Sequence, residues 1–266
     1  MNREAVARLR AAGVPSPEFD VRALEEVATD TAHFEAMLVR RERRVPLQHI
    51  TGRAYFRHLE LSVGPGVFIP RPETELLAQV GIDELERLIR TGRTGLQAVE
   101  LCAGSGAIAL ALATEAVGTR VTAVELSNEA MPYLQANVAA YSLAHVSVIH
   151  ADATASELLT ELNGTVDVVL SNPPYIPVGM IPREPEVRDH DPHLALFGGD
   201  DGFDVARGVV AVAQRLLKPG GLFGMEHADV QGQSVVELFA DGWTDVVDHR
   251  DYNDLPRFVT ARKIGA

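Results

Sequence analysis

Cysteine is almost absent: Cys102 stands alone among 266 residues, which excludes an intrachain disulfide and any cysteine-cluster metal site. Cations are scarce too, with 24 Lys and Arg against 37 Asp and Glu and a formal net charge of −13. Duplex DNA binding draws most of its affinity from cations that neutralise phosphates, so a chain this acidic is a poor general DNA binder. No run approaches the roughly 18 to 20 apolar residues of a membrane span. The start, Met1-Asn2-Arg3-Glu4, leads into a charged helical pattern without the apolar core of a signal peptide. There is no internal repeat and no low-complexity tract. These absences point to a cytoplasmic protein without membrane contact, long enough for one sizeable domain plus a smaller one.

The patterns that are present divide the chain into three parts. From about Glu4 to Arg44 apolar residues recur at three- and four-residue spacings (Val6, Leu9; Val21, Leu24; Phe34, Met37, Leu38), with Pro15 and Pro17 separating the first two helices. This assigns residues 1–50 to a helical domain. Residues 51–71 read as a linking β-hairpin, with Gly64-Pro65-Gly66 as its centre. A helix from about Pro72 to Arg90 opens the third part, 72–266. There, short apolar runs alternate with helical stretches: Ala98–Leu101, Val121–Glu125, Val146–Ile149, Val166–Leu170 and Leu222–Met225. Strands alternating with helices imply right-handed βαβ units, hence an α/β, doubly wound, mostly parallel sheet. Lys218-Pro219-Gly220-Gly221 reads as a stop before the fifth strand. Two last runs, Trp243–Val247 and Phe258–Ala261, are expected to form an antiparallel edge pair, for seven strands in all. Arg40-Arg41-Glu42-Arg43-Arg44 is either a solvated helix end or a small patch facing an acidic or RNA-associated partner.

Two constellations carry chemistry. Directly after the first parallel strand, Gly104-Ser105-Gly106 permits a tight turn and offers helix N-terminal N–H groups to a ligand. About 20 residues on, Glu125 ends the second strand, where a carboxylate accepts bonds from ribose hydroxyls. The spacing Gly104-x-Gly106-x-x-Ala109 suits dinucleotides as well as S-adenosylmethionine. Glu100, just before the loop where a cofactor amino group would lie, and Asp152, which ends the third strand where adenine would lie, favour the latter. Asp152 has a second reading as the N-cap of a helix over Thr154 to Leu162. The other constellation is Asn172-Pro173-Pro174-Tyr175, directly after the fourth strand. Two prolines make it rigid, and the Asn172 side-chain oxygen and the Pro173 carbonyl form a pair of acceptors matched to the two hydrogens of a planar NH2 group. Cofactor loop and lip then share one crevice at the strand C-termini.

Together with these, Pro46-Leu47-Gln48-His49-Ile50-Thr51-Gly52, Phe68-Ile69-Pro70-Arg71-Pro72-Glu73-Thr74-Glu75 and Gly198-Gly199-Asp200-Asp201-Gly202 resemble, over nearly the whole length, the HemK-like protein N5-glutamine methyltransferases that modify peptide chain release factors. The resemblance implies a class I S-adenosylmethionine-dependent methyltransferase domain, Rossmann-like, behind a substrate-recognising helical domain, acting as a monomer on the glutamine of a Gly-Gly-Gln tripeptide. It implies that Cys102, Ala103, Gly104, Ser105 and Gly106 wrap the methionine part of the cofactor, with Glu100 nearby. By the same resemblance Glu125 takes the ribose, Asp152 and the backbone of Ala153 take the adenine, and Asn172, Pro173, Pro174 and Tyr175 hold the substrate amide, no metal being needed. Asn172, Pro173 and Tyr175 are the expected catalytic residues, and Asn172 also borders the cofactor. Cys102 stands where many relatives have glycine, and Glu100 and Glu125 where aspartates are commoner. His190-Asp191-Pro192 stands where Tyr-Glu-Pro is common. His49, His190 and His227 read as structural or surface residues. Three rivals remain: a nucleic-acid amino-methyltransferase, for which the same lip fits an exocyclic amine of a flipped base; a ribosomal-protein glutamine methyltransferase; and an NAD-dependent oxidoreductase.

Overall fold

A computed structural model describes residues 2–265. Four helices come first: α1 (Arg3–Ala11), α2 (Pro17–Val27), α3 (Thr31–Glu42) and the short α4 (Leu47–Thr51). Their starts follow from local chemistry. The Asn2 side chain accepts the Ala5 N–H, Pro17 occupies the first turn of α2, and the Asp30 side chain accepts the His33 N–H. The helices bury Leu9, Val21, Leu24, Met37 and Leu38 in a cluster of their own. The expectation for this region contains no α4, which follows Pro46 and ends on left-handed Gly52.

The hairpin pairs β1 (Arg53–Phe56) with β2 (Leu59–Ser62) and turns at Arg57-His58, not at Gly64-Pro65-Gly66. Its alternating buried face, Ala54, Phe56, Leu59 and Leu61, joins the main core. The Gly-Pro-Gly serves a close approach instead: a Cβ on Gly66, at φ +90°, would sit 2.6 Å from the Glu129 Cβ, and one on Gly64 2.3 Å from the Tyr133 hydroxyl.

The third part holds β3 (Gln97–Leu101), β4 (Arg120–Glu125), β5 (Val146–His150), β6 (Val166–Ser171), β7 (Leu217–Glu226), β8 (Trp243–Arg250) and β9 (Pro256–Lys263), in the order β5-β4-β3-β6-β7-β9-β8. The first five are parallel. All six residues of β6 are buried, as a parallel strand covered on both faces requires. Helices α5 (Thr74–Arg90), α6 (Ala107–Glu115) and α7 (Met131–Ala140) cover one face through Leu77, Ile82, Leu85, Leu112 and Leu134. After α8 (Pro185–His190) and α9 (His193–Leu196), α10 (Asp204–Leu216) covers the other through Val209, Ala213 and Leu216.

Three expectations change here and one holds. Helix α5 starts at Thr74, with Pro72 in the preceding turn. Lys218 to Gly221 do not precede the fifth strand but lie within it as a bulge, since Val166 pairs with Leu217 and Val168 already with Leu222. The two last runs do form the expected antiparallel pair at one edge of the sheet, β8 outermost and β9 between it and β7, antiparallel to both. The basic run is only partly solvated: Arg40 and Arg43 are exposed, whereas Arg41 and Arg44 are taken up by acids within the fold. Arg41 is buried and bonds Asp20 at 2.6 Å and Glu186 at 2.9 Å, Arg44 grips both oxygens of Glu186, and Arg40 reaches the His49 carbonyl. The helical layer is thereby tied to α8. Among the described residues no helix is long and apolar enough to cross a membrane.

Candidate active site

The chain runs from β3 outward to β4 and β5, then returns to β6 on the other side of β3, so the C-termini of β3 and β6 diverge into a crevice. Leu101 and Ser171 are neighbours there, and the Ser171 hydroxyl donates to the Leu101 carbonyl at 2.7 Å. The residues that follow each strand, Cys102 and Asn172, therefore start side by side. Between them opens a cleft of about 440 Å³, the size of a small-molecule site.

Eleven of the thirteen expected site residues border this cleft: Glu100, Cys102, Ala103, Gly104, Ser105, Glu125, Asp152, Ala153, Asn172, Pro174 and Tyr175. Gly106 and Pro173 stand behind them. Gly106, in the left-handed region, begins α6, and a Cβ there would lie 2.5 Å from Leu134. Pro173 is buried, and no N–H among the described residues donates to its carbonyl.

The acids are held in defined ways. Glu125 accepts the Ser127 N–H on Oε1 and the Gly104 N–H on Oε2, both at 2.6 Å, and so pins the glycine loop to the end of β4. A carboxylate has about four acceptor sites, so capacity remains for hydroxyls. A Cβ built on Gly104 meets nothing within 4 Å, which leaves an open cradle beside that carboxylate. Glu100 is turned differently from its expectation. Buried at 2% exposure, it accepts the Ala109 N–H at 2.7 Å and satisfies the first turn of α6. Burial, with Glu125 nearby, pushes its carboxyl well above the ordinary range. Asp152 caps no α-helix. Its Oδ1 accepts the Thr154 N–H and hydroxyl, and a single 3-10 turn at Thr160–Leu162 follows. Cys102 is half-buried and backbone-strained at φ 62°, and burial pushes its thiol up to about 12, so it is no nucleophile. The open glycine cradle, the acid at the end of β4 and a second acid at the end of β5 suit a nucleoside-bearing cofactor such as S-adenosylmethionine.

The lip rests on a frame. Asn172 Nδ2 points to the Thr74 hydroxyl at 3.4 Å, Thr74 donates to Glu226 at 2.6 Å, and the Tyr175 hydroxyl donates to the other Glu226 oxygen at 3.2 Å. Burial, then the Glu226 charge, raises the Tyr175 hydroxyl pKa. The Gly198–Gly202 loop supports the lip from behind: Gly198 N–H donates to the Ile176 carbonyl, and a Cβ on Gly198 would lie 2.5 Å from the Pro174 carbonyl. Arg71 also borders the cleft, stacked 4.8 Å over the Phe68 ring and bonded to buried Asp191 at 2.7 Å. His49 and His227 are buried on backbone carbonyls, away from this chemistry. Sequence reasoning assigned no role to Thr74, Arg71 or Glu226. The first two lie in a recognisable motif, while Glu226 carries no local signal at all.

The methyltransferase small domain family model matches residues 77–179. A release factor glutamine methyltransferase of Streptomyces coelicolor is 48% identical to this chain, over 98% of it and 96% of that protein. A 4-amino-L-phenylalanine/4-methylamino-L-phenylalanine methyltransferase of Streptomyces pristinaespiralis is 42% identical over 75% of this chain and 67% of that one. Among solved structures, a 16S rRNA N2 methyltransferase of Thermus thermophilus, in complex with AdoMet and guanosine, is similar at TM-score 0.54 and 27% identity, over 79% of this chain and 49% of that one. With nearly half its residues shared from the N-terminal helices to the last strand, this chain belongs to the release factor glutamine methyltransferase family.

Proposed function

We propose that this protein transfers a methyl group from S-adenosylmethionine to the side-chain amide nitrogen of a glutamine in a peptide chain release factor, in its Gly-Gly-Gln tripeptide. The single observation that carries the reading is the juxtaposition of the Glu125-pinned glycine loop with the Asn172 lip across the β3–β6 crevice. An amide nitrogen is a poor nucleophile, because its lone pair is delocalised into the carbonyl. When bound, the cofactor supplies an electrophilic methyl on a sulfonium. The chain supplies orientation: Asn172 Oδ1 and the Pro173 carbonyl accept the two amide hydrogens and set the plane of the nitrogen. These bonds strengthen as that nitrogen gains positive charge, so they stabilise the transition state more than the ground state. Tyr175 walls the pocket, and the product proton leaves to water. Holding the two reactants in line contributes on the order of 7 to 11 kcal/mol.

A protein substrate accords with the apolar side chains Val178, Met180, Ile181 and Leu194, exposed on the segment that follows the lip. The net charge of −13 disfavours duplex DNA. A cytoplasmic monomer is the working form of this reading, checked by sedimentation. The experiment is to incubate the protein with methyl-labelled cofactor and, in separate arms, a release factor, a ribosomal protein, single-stranded DNA and 4-aminophenylalanine. Label on the Gly-Gly-Gln glutamine by mass spectrometry is the expected result, and transfer only to another arm overturns it. In the same assay Asn172→Ala is expected to keep S-adenosylhomocysteine binding largely intact and to lose at least about a hundredfold in turnover. Unchanged turnover would remove Asn172 from the mechanism.

A further inference from the structure

We propose that Glu226 is a positioning residue for methyl transfer: through Thr74 on one side and Tyr175 on the other, its carboxylate holds the lip with the Asn172 amide oxygen free for the substrate. This rests on the role given to Asn172 above. Glu226 ends β7, next to β6, which delivers the lip, and Met225 is paired with Ser171. It is 1% exposed, yet both its oxygens are engaged by hydroxyls that themselves touch or form the lip.

Direction is the argument. Thr74 has one hydroxyl hydrogen, and it goes to Glu226 at 2.6 Å. What Thr74 offers to Asn172 is therefore a lone pair, which only the NH2 end of the amide can use, and Nδ2 is the atom that faces it. The amide oxygen is thus kept off the frame. A group at position 226 that donates instead of accepting lets Thr74 turn its hydrogen toward Asn172. The amide then flips and presents NH2 to an NH2 substrate. Buried networks of this kind act as units, since each bond fixes the direction of the next.

The groups packed around Glu226 are Glu73 and Thr74 at the start of α5, Tyr175 after β6, and Arg257 on β9, which itself bonds Asp251. Burial, with Glu73 adding to it and Arg257 opposing, pushes the carboxyl up to about 7. Protonation turns one oxygen into a donor, so the directed state is the ionised one. Turnover is expected to rise with pH through neutrality.

The test compares wild type, Glu226→Gln and Glu226→Asp in release factor methylation below, at and above neutral pH. Glu226→Gln is expected to lower kcat on the order of tenfold to a hundredfold, with S-adenosylhomocysteine affinity unchanged and the rising limb near pH 7 lost. Glu226→Asp, which keeps a carboxylate, recovers part of the rate and of the pH dependence. A readout independent of turnover is the Asn172 side-chain amide resonance in 15N NMR, expected to titrate near neutrality in wild type and to stay flat in Glu226→Gln. A wild-type kcat with an unaltered pH profile in Glu226→Gln, or an Asn172 resonance that does not titrate in wild type, overturns the proposal. If Glu226→Gln does not fold, Thr74→Val breaks the same chain of bonds isosterically and must show the same loss. A wild type inactive on release factors would sink the substrate reading alone, and the resonance would still decide the hold of Glu226 on Asn172.

Discussion

Cys102 occupies a left-handed backbone conformation at φ 62°, which costs an L-residue roughly 1 to 2 kcal/mol. Glycine escapes that cost but loses about 0.5 to 1 kcal/mol through the freedom of its unfolded chain. Cys102→Gly is therefore expected to shift the urea midpoint little, while β-branched Cys102→Val loses on the order of 2 kcal/mol. A Val variant as stable as wild type would contradict the strain. The same turn explains why a residue in a strand-to-helix loop next to a cofactor cleft was legible locally. Gly104 and Gly106 signal the turn, and Glu125 ends the next strand. Glu100 was legible as an acid but not in its use, because only the packing of α6 brings the Ala109 N–H onto it.

At the scale of elements, the contact between α3 and α8 decides how the helical layer sits on the sheet domain. Arg41 and Arg44 converge on Glu186, whose carboxyl burial would raise, but whose hydrogen bonds from Arg44 and Arg41 bring it below the ordinary range. Arg41→Met deprives buried Asp20 and Glu186 of a shared cation and is expected to cost on the order of 3 kcal/mol. Arg43→Ala, on the exposed side, is expected to stay within about 0.5 kcal/mol. Chemical denaturation of both variants checks this, and equal losses would mean that the ion pairs contribute nothing particular. The run of four arginines could be read as a patch because sequence shows charge density, whereas the acids that consume it, Asp20 and Glu186, lie on other elements.

For the whole molecule, buried carboxylates with opposed shifts set the pH dependence of stability. Glu226 and Asp191, pushed by burial up to about 7 and about 6, bind protons more tightly folded than unfolded. Their contribution is complete below their unfolded values and is lost as pH rises through the folded ones. Glu84 runs the other way: burial raises it, but the hydrogen bonds from Arg87 and Arg262 bring it down to about 2, so its contribution is lost as acid is added below its unfolded value. Glu226→Gln removes the first penalty. Its stability relative to wild type is expected to rise between acid and pH 8 by at most about 3 kcal/mol, even as its turnover falls. A difference that does not vary with pH would mean that Glu226 does not titrate in this window.

The sequence by itself determined the strand–helix alternation, the glycine loop, the acids at strand ends and the Asn172 lip, because each is a matter of neighbours along the chain: a period, a turn, a ring-locked residue. Only the tertiary structure decided the rest. It moved the hairpin turn to Arg57-His58, since the burial of Phe56 and Leu59 against the sheet outweighs the local turn preference of Gly64-Pro65-Gly66. It inserted β9 between β7 and β8, and it brought Glu226 beneath a lip 51 residues away. Such pairings depend on which strands become neighbours, and that is settled by burial of the whole sheet, which no local stretch of residues encodes.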